Sequence, residues 1–216
     1  MKYLLLVLAT VSLSAHAEFT FWKTTSSWNA DASQSAVAAY KTFLELNDKT
    51  EKDCPYAGDA AYLGSALPTV IVNPLSIANY QPGNPEAALA GTNPAVYYPI
   101  ACADGTTGIV NMALFKGTWT ATQFFTPVKT SSFISLFALR DTDIGLSEVP
   151  ADHYFNFELL PIDPGTGGKP FEGGIFLARE TASEFVVMPM FDIPSINVKT
   201  GQWISADEVM TRLKNR

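Results

Sequence analysis

Two histidines, His16 and His153, and two cysteines, Cys54 and Cys102, are all this 216-residue chain offers of the most versatile reactive side chains. His153 has a ring pKa suited to acid–base work. It follows Asp152, but neighbours on a strand point to opposite faces, so the pair is not a catalytic couple by adjacency. Its expected place is the half-exposed end of a strand. The run Gly145-Leu-Ser-Glu-Val149 fails the nucleophile-elbow pattern at its last position, which with a single histidine besides His16 argues against a Ser-His-Asp hydrolase.

Between Asp141 and Asp152, carboxylates stand at the first, third and twelfth places, with Ser147 at the seventh. That spacing is close to a calcium loop, but Leu146 occupies the place that needs glycine and Pro150 intrudes. An incidental acidic segment is the reading adopted. Gly165-Thr-Gly-Gly-Lys-Pro170 has the composition of a phosphate loop without its spacing, and reads as a turn. No His-Glu-x-x-His sequence and no four-ligand Cys/His set is present, so the sequence calls for no metal and no cofactor. The 21 acidic residues could place two carboxylates across a cleft, as a glycosidase does, but spacing alone does not show it.

Aromatic residues are the enrichment that bears on binding. Tyr80, Tyr97 and Tyr98 fall in a proline-rich stretch and are the candidate partner surface, since tyrosine suits recognition sites. The competing expectation is that they pack the core.

Lys2, the apolar run 3–13 and Ala15-His16-Ala17 form a signal peptide, so residues 1–17 are an address and 18–216 one exported domain. Eleven mostly apolar residues are too few to span a membrane, which takes ~20. The short leader and the lack of an Asn-x-Ser/Thr site point to a bacterial cell envelope, periplasmic or secreted. In that compartment Cys54 and Cys102 are expected to pair, which restricts the unfolded chain by ~4 kcal/mol on a chain-entropy model. The formal charge of −7 disfavours nucleic acid as a partner.

The elements follow from periodicity. Residues 18–22 alternate as a short strand, and a helix capped by Asp31 or Ser33 runs to about Leu46. Residues 67–72 read as a buried strand. Residues 73–108, with five prolines and four glycines, read as a loop braced by the disulfide. Strands are expected at 108–115, 118–125, 133–139, 155–159, 171–178 and 184–191, with Pro189 marking an edge. Ser205-Ala-Asp-Glu208 is a capping box opening a final helix, with Ile204 and Val209 as its hydrophobic staple.

The fold class is therefore α+β: a mainly antiparallel sheet, one helix early and one at the end. The expected function is a non-catalytic binding or assembly-accessory protein of the envelope, with another envelope protein or a cell-surface ligand as partner. The rival is an envelope hydrolase using paired carboxylates, with or without calcium. Mass spectrometry of exported material should show a chain starting at Glu18 with Cys54 linked to Cys102; a retained Met1 or two free thiols would refute this.

Overall fold

The computed structural model describes residues 18–46, 66–72, 74–89, 93–101, 107–128, 132–161 and 171–216. Cys54, Cys102 and the turn expected at 165–170 lie outside them. Eight strands form one mostly antiparallel sheet, and the class is α+β as expected. The strands are β1 Leu67–Val72, β2 Ala95–Ala101, β3 Thr107–Phe115, β4 Thr118–Val128, β5 Tyr154–Leu159, β6 Gly174–Glu180, β7 Phe185–Pro189 and β8 Ile204–Ser205. The helices are α1 Phe21–Leu46, α2 Pro74–Ala78, α3 Ser132–Ser147 and α4 Ala206–Lys214. Among the described residues, no helix is long and apolar enough to cross a membrane.

The spatial order is β4-β3-β2-β1-β5-β6-β7-β8. Each half is a meander running outward from the centre, and the central strands β1 and β5 are parallel, from Thr69 beside Asn156 to Val72 beside Leu159. Both halves have the order helix, then four strands. A half-turn about the strand direction maps one order on the other and exchanges the two faces. Accordingly α1 covers the first half on one face, with Ala32, Ala36 and Tyr40 fully buried against Val96, Tyr98, Val110 and Met112. On the opposite face α3 buries Leu136 and Phe137 against Leu67, Ile109, Tyr154 and Leu177. The α4 helix returns to the α1 side, packing Val209, Met210 and Leu213 with Val70, Phe155 and Phe157.

Four expectations are corrected. Residues 21–30 are helix, not strand and turn: Thr25 and Ser27 hydroxyls donate to the carbonyls of Trp22 and Thr24 (3.0 and 2.8 Å) and so do not compete with the helix. Residues 133–139 belong to α3. Their continuous apolar run fits either structure locally, and burial of Leu136, Phe137 and Arg140 along one helical side decides it. The stretch 73–108 contains α2, a 3-10 turn at Pro85–Leu89 and strand β2. Pro99 is tolerated in β2 because, among the described residues, the β1 ladder ends at Tyr97 and the missing N–H faces no partner strand. Finally, Ser205 makes no side-chain cap bond, and Glu208 accepts from Arg212 (2.5 Å) instead of closing a capping box. The hydrophobic pair does form: Ile204 and Val209 join one cluster.

The fit of α1 on β3 leaves no room for a side chain at Gly108, where a Cβ would collide with the Tyr40 hydroxyl. Gly108→Ala should therefore destabilise the chain by ~1–3 kcal/mol in urea unfolding, as overpacked cores do. A matching Tyr40→Phe change in the same chain should restore part of the loss.

Candidate functional site

The three tyrosines of the expected partner surface are inside the molecule. Tyr80, Tyr97 and Tyr98 are 2%, 7% and 2% exposed, so their rings are not a surface in this fold. Tyr80 donates to the Asp207 carboxylate, which also accepts the Gly83 N–H (2.5 Å), tying the 80–83 turn to α4. Tyr98 donates to Asn29 of α1 at its carbonyl (2.7 Å) and its Oδ1 (2.9 Å). Burial pushes both phenols well above the usual range, with Asp207 adding to the effect on Tyr80 and Asp31 to that on Tyr98.

His153 ends a 3-10 turn and is half-buried. Its Nδ1 lies 2.7 Å from the Glu180 carbonyl, which can only accept, so Nδ1 carries the proton. Its ring stacks on Trp22 with centroids 3.8 Å apart. The acidic run 141–152 is no loop. Asp141 and Asp143 lie in α3, where Asp141 pairs with Arg140 (2.8 Å). Asp143 accepts from Tyr154 (2.6 Å) and Arg179 (2.8 Å). Among the described residues, no three or more His, Cys, Asp or Glu are grouped to hold a metal ion.

Two carboxyl groups do meet, and both hold the start of α1. Glu86 Oε1 accepts the N–H of Thr20 (2.5 Å) and of Phe21 (2.7 Å), while Glu180 Oε1 also accepts from Phe21 (2.9 Å). The first helical turn has no acidic residue of its own, so these distant carboxylates satisfy its orphan donors. Burial pushes the Glu180 carboxyl up to about 9, and its hydrogen bond with Glu86 adds to the rise. Burial acts on Glu86 in the same sense, but the bonds from Glu180, Thr20 and Phe21 outweigh it and hold Glu86 below its usual value. One proton shared between touching carboxyls leaves no gap for the substrate that a glycosidase holds between carboxylates roughly 5 Å or more apart.

The candidate binding site lies at the other end of α1. Beside β4 runs an apolar groove of about 430 Å³, lined by Ala38, Ala39, Thr42, Phe43, Leu46, Thr120, Ala121 and Phe124. Small alanines on this flank of α1 leave the space. Phe43 and Phe124 stack at 4.5 Å to form its apolar wall. Among the described residues β4 is the sheet edge, and from Thr118 to Val128 it carries no charged side chain. Edge strands are commonly protected by charge, proline, bulges or shortness. β4 has a register shift opposite Asn111/Met112 and Pro127 near its end, which leaves Thr118–Ala121 straight and unguarded. At the opposite edge β8 has only two residues. The sequence reading found the strand but not its edge position; the charge-free run between Lys116 and Lys129 was the available signal.

No protein-family model matches this chain, and neither a curated protein nor a solved structure shows significant similarity to it.

The carboxyl pair generates a pH prediction. Glu180 binds its proton more tightly folded than unfolded, so stability should fall as pH rises from about 5 to about 9. The slope should approach, and not exceed, ~1.4 kcal/mol per pH unit. Glu180→Gln keeps an acceptor for Phe21 and a donor for Glu86, and should flatten urea midpoints over that range. An unchanged slope in the variant would show that Glu180 is not the group responsible.

Proposed function

We propose that this chain is an exported, non-catalytic binding or assembly-accessory protein of the bacterial cell envelope. Its partner is another envelope protein, which contributes an extended, uncharged segment to the β4 edge. The observation that carries the reading is the charge-free edge strand lying against an apolar groove. A strand added about 4.8 Å outside β4 would send alternate side chains under α1, where Ala38, Ala39, Thr42 and Leu46 wait. Main-chain hydrogen bonds would supply affinity and the groove would select apolar side chains at every second position. Leu46, 80% exposed near the end of α1, extends the apolar surface beside this edge. The signal peptide supplies the compartment, and the expected Cys54–Cys102 bond suits its redox state. Hydrolysis by paired carboxylates is disfavoured because Glu86 and Glu180 are occupied by the α1 N–H groups.

A photo-crosslinking residue at Thr42 in the full exported chain should capture a second polypeptide through a mapped peptide with alternating apolar residues. Thr120→Arg, which places a charge on the edge, should lower that yield about tenfold, equivalent to ~1.4 kcal/mol of lost binding. Crosslinks confined to residues 47–65 of the same chain, or to a second copy, would overturn the partner assignment. Turnover of peptidoglycan fragments or esters by the purified chain would overturn the non-catalytic reading.

A further inference from the structure

The straight part of β4, between the β3–β4 turn and the register shift, turns main-chain groups outward at two positions. Lys116 and Gly117 form a two-residue turn with φ of 50° and 80°, the type I′ geometry. In such a turn the flanking pair, Phe115 and Thr118, exchanges both main-chain bonds, and bonding then alternates along the antiparallel ladder. Leu114 accordingly faces away from β4 and donates its N–H to the Pro94 carbonyl (3.1 Å). Its opposite residue Trp119 therefore points its N–H and C=O away from β3, and Ala121, opposite Met112, does the same. Each offers one donor and one acceptor, and among the described residues no main-chain group pairs with them.

The side chains of these two residues lie on the α1 face. Trp119 and Ala121 pack with the cluster that holds Ala36, Tyr40, Val110 and Met112. In an antiparallel pair, residues directly opposite share a face, with Cβ atoms roughly 5 Å apart. A strand added outside β4 thus sends two alternate side chains to the α1 side, one beside the Trp119 indole and one beside the Ala121 methyl. The two places differ in room. The groove of about 430 Å³ is lined by Ala121 and not by Trp119. Across from Ala121 the flank of α1 supplies only Ala38, Ala39 and Thr42, and the stacked rings of Phe43 and Phe124 form the wall.

Resting on strand addition at this edge, we propose that Ala121 is its specificity-determining residue. The segment bound runs antiparallel to β4, with an aromatic side chain opposite Ala121 and a β-branched one two residues later, opposite Trp119. The aromatic ring fills the space over the Ala121 methyl and meets Phe43 and Phe124, where offset or edge contacts between rings add to burial. The β-branched side chain packs beside the indole as a cross-strand neighbour. Antiparallel direction lets Trp119 and Ala121 each exchange both bonds with the residue opposite, and the ladders joining β1 to β4 are already antiparallel. The intervening residues of the segment point to the other face, where Thr118 and Thr120 are exposed, and carry no size requirement.

The test is an NMR titration of the full exported chain with acetyl-Thr-Phe-Thr-Val-Thr-amide, following the backbone amides of Trp119 and Ala121. Saturable shifts at both amides are expected, and a probe with alanine in place of phenylalanine should bind at least tenfold more weakly. N-methylation of the probe's phenylalanine, whose N–H faces β4, should abolish the shifts, whereas N-methylation of its central threonine should not. Ala121→Leu occupies the groove from the strand side and should erase the preference for phenylalanine over alanine; its melting curve will show that the fold is kept. Equal affinity of the phenylalanine and alanine probes, with shifts at both amides, would sink the size rule and leave strand addition standing. A preference for phenylalanine that survives in Ala121→Leu would remove Ala121 from the role. The reversed probe, acetyl-Thr-Val-Thr-Phe-Thr-amide, checks direction, and binding as tight as the first probe would overturn the antiparallel assignment. No shift at either amide with any probe would count against strand addition itself, and the specificity at Ala121 would go with it.

Discussion

The parallel contact between β1 and β5 joins two meanders whose other ladders are all antiparallel. Without it the chain is two four-stranded sheets, each with another bare edge. Parallel strands are ordinarily buried on both faces, because the crossover connections that make them parallel lay helices over the sheet. Here that requirement places helices on both sides: α1 and α4 on one, α3 on the other. It also explains why β5 is not one-sided. Phe155, Phe157 and Leu159 fill the α1 side, while Tyr154 and Asn156 are sealed on the α3 side. A polar residue is thereby carried into the interior by its place beside the parallel joint.

The second dependency is the start of α1. Glu86 comes from the 3-10 turn between β1 and β2, and Glu180 from the end of β6, so each half of the sheet contributes one carboxyl to the same helix. The hydrogen bonds that cap the first turn of α1 therefore come from both halves of the sheet. Phe19 extends the anchorage by donating its N–H to Ala182 and packing on Phe185. Such anchorage at one end lets the other end serve a different purpose. On either side of Tyr40 the helix turns the small side chains of Ala38, Ala39 and Thr42 to the groove beside β4.

Local signals were legible where they sufficed. The strands at 67–72, 108–115 and 118–125, and the closing helix, were readable because alternation, turns and the 3.6 period lie within a few residues. The start of α1 was not, since its capping groups are 65 and 159 positions away. The α1 stripe was muted because its buried contacts at Ala32 and Ala36 are methyl groups. Prolines hid β2, whose Pro99 is harmless only because β1 ends short of it. The candidate site was less legible still. Tyr80, Tyr97 and Tyr98 were named for exposure that burial removes, while the edge position of β4 is a property of the whole sheet order. Asn156 and Glu158 alternate with Phe155, Phe157 and Leu159 as a wet side would, yet α3 packs on that face and Asn156 is buried.

The β4 edge and the polar side chains of β5 are physically separate. β4 and β5 are four strand spacings apart, ~19 Å. The groove opens on the α1 face and Glu158 on the other, so the buried central strands stand between them. A substitution at Thr120 should leave the surroundings of Glu158 untouched, since positions this distant with no shared partners behave additively. Charge has a consistent place in this division. The chain carries a formal −7, which favours the approach of basic partners from a distance, yet its edge strand excludes charge where a strand would dock. In the proposed reading, attraction and selection fall to different parts of the molecule: the acidic surface would gather partners, and the neutral edge would accept only segments that bury without a charge of their own.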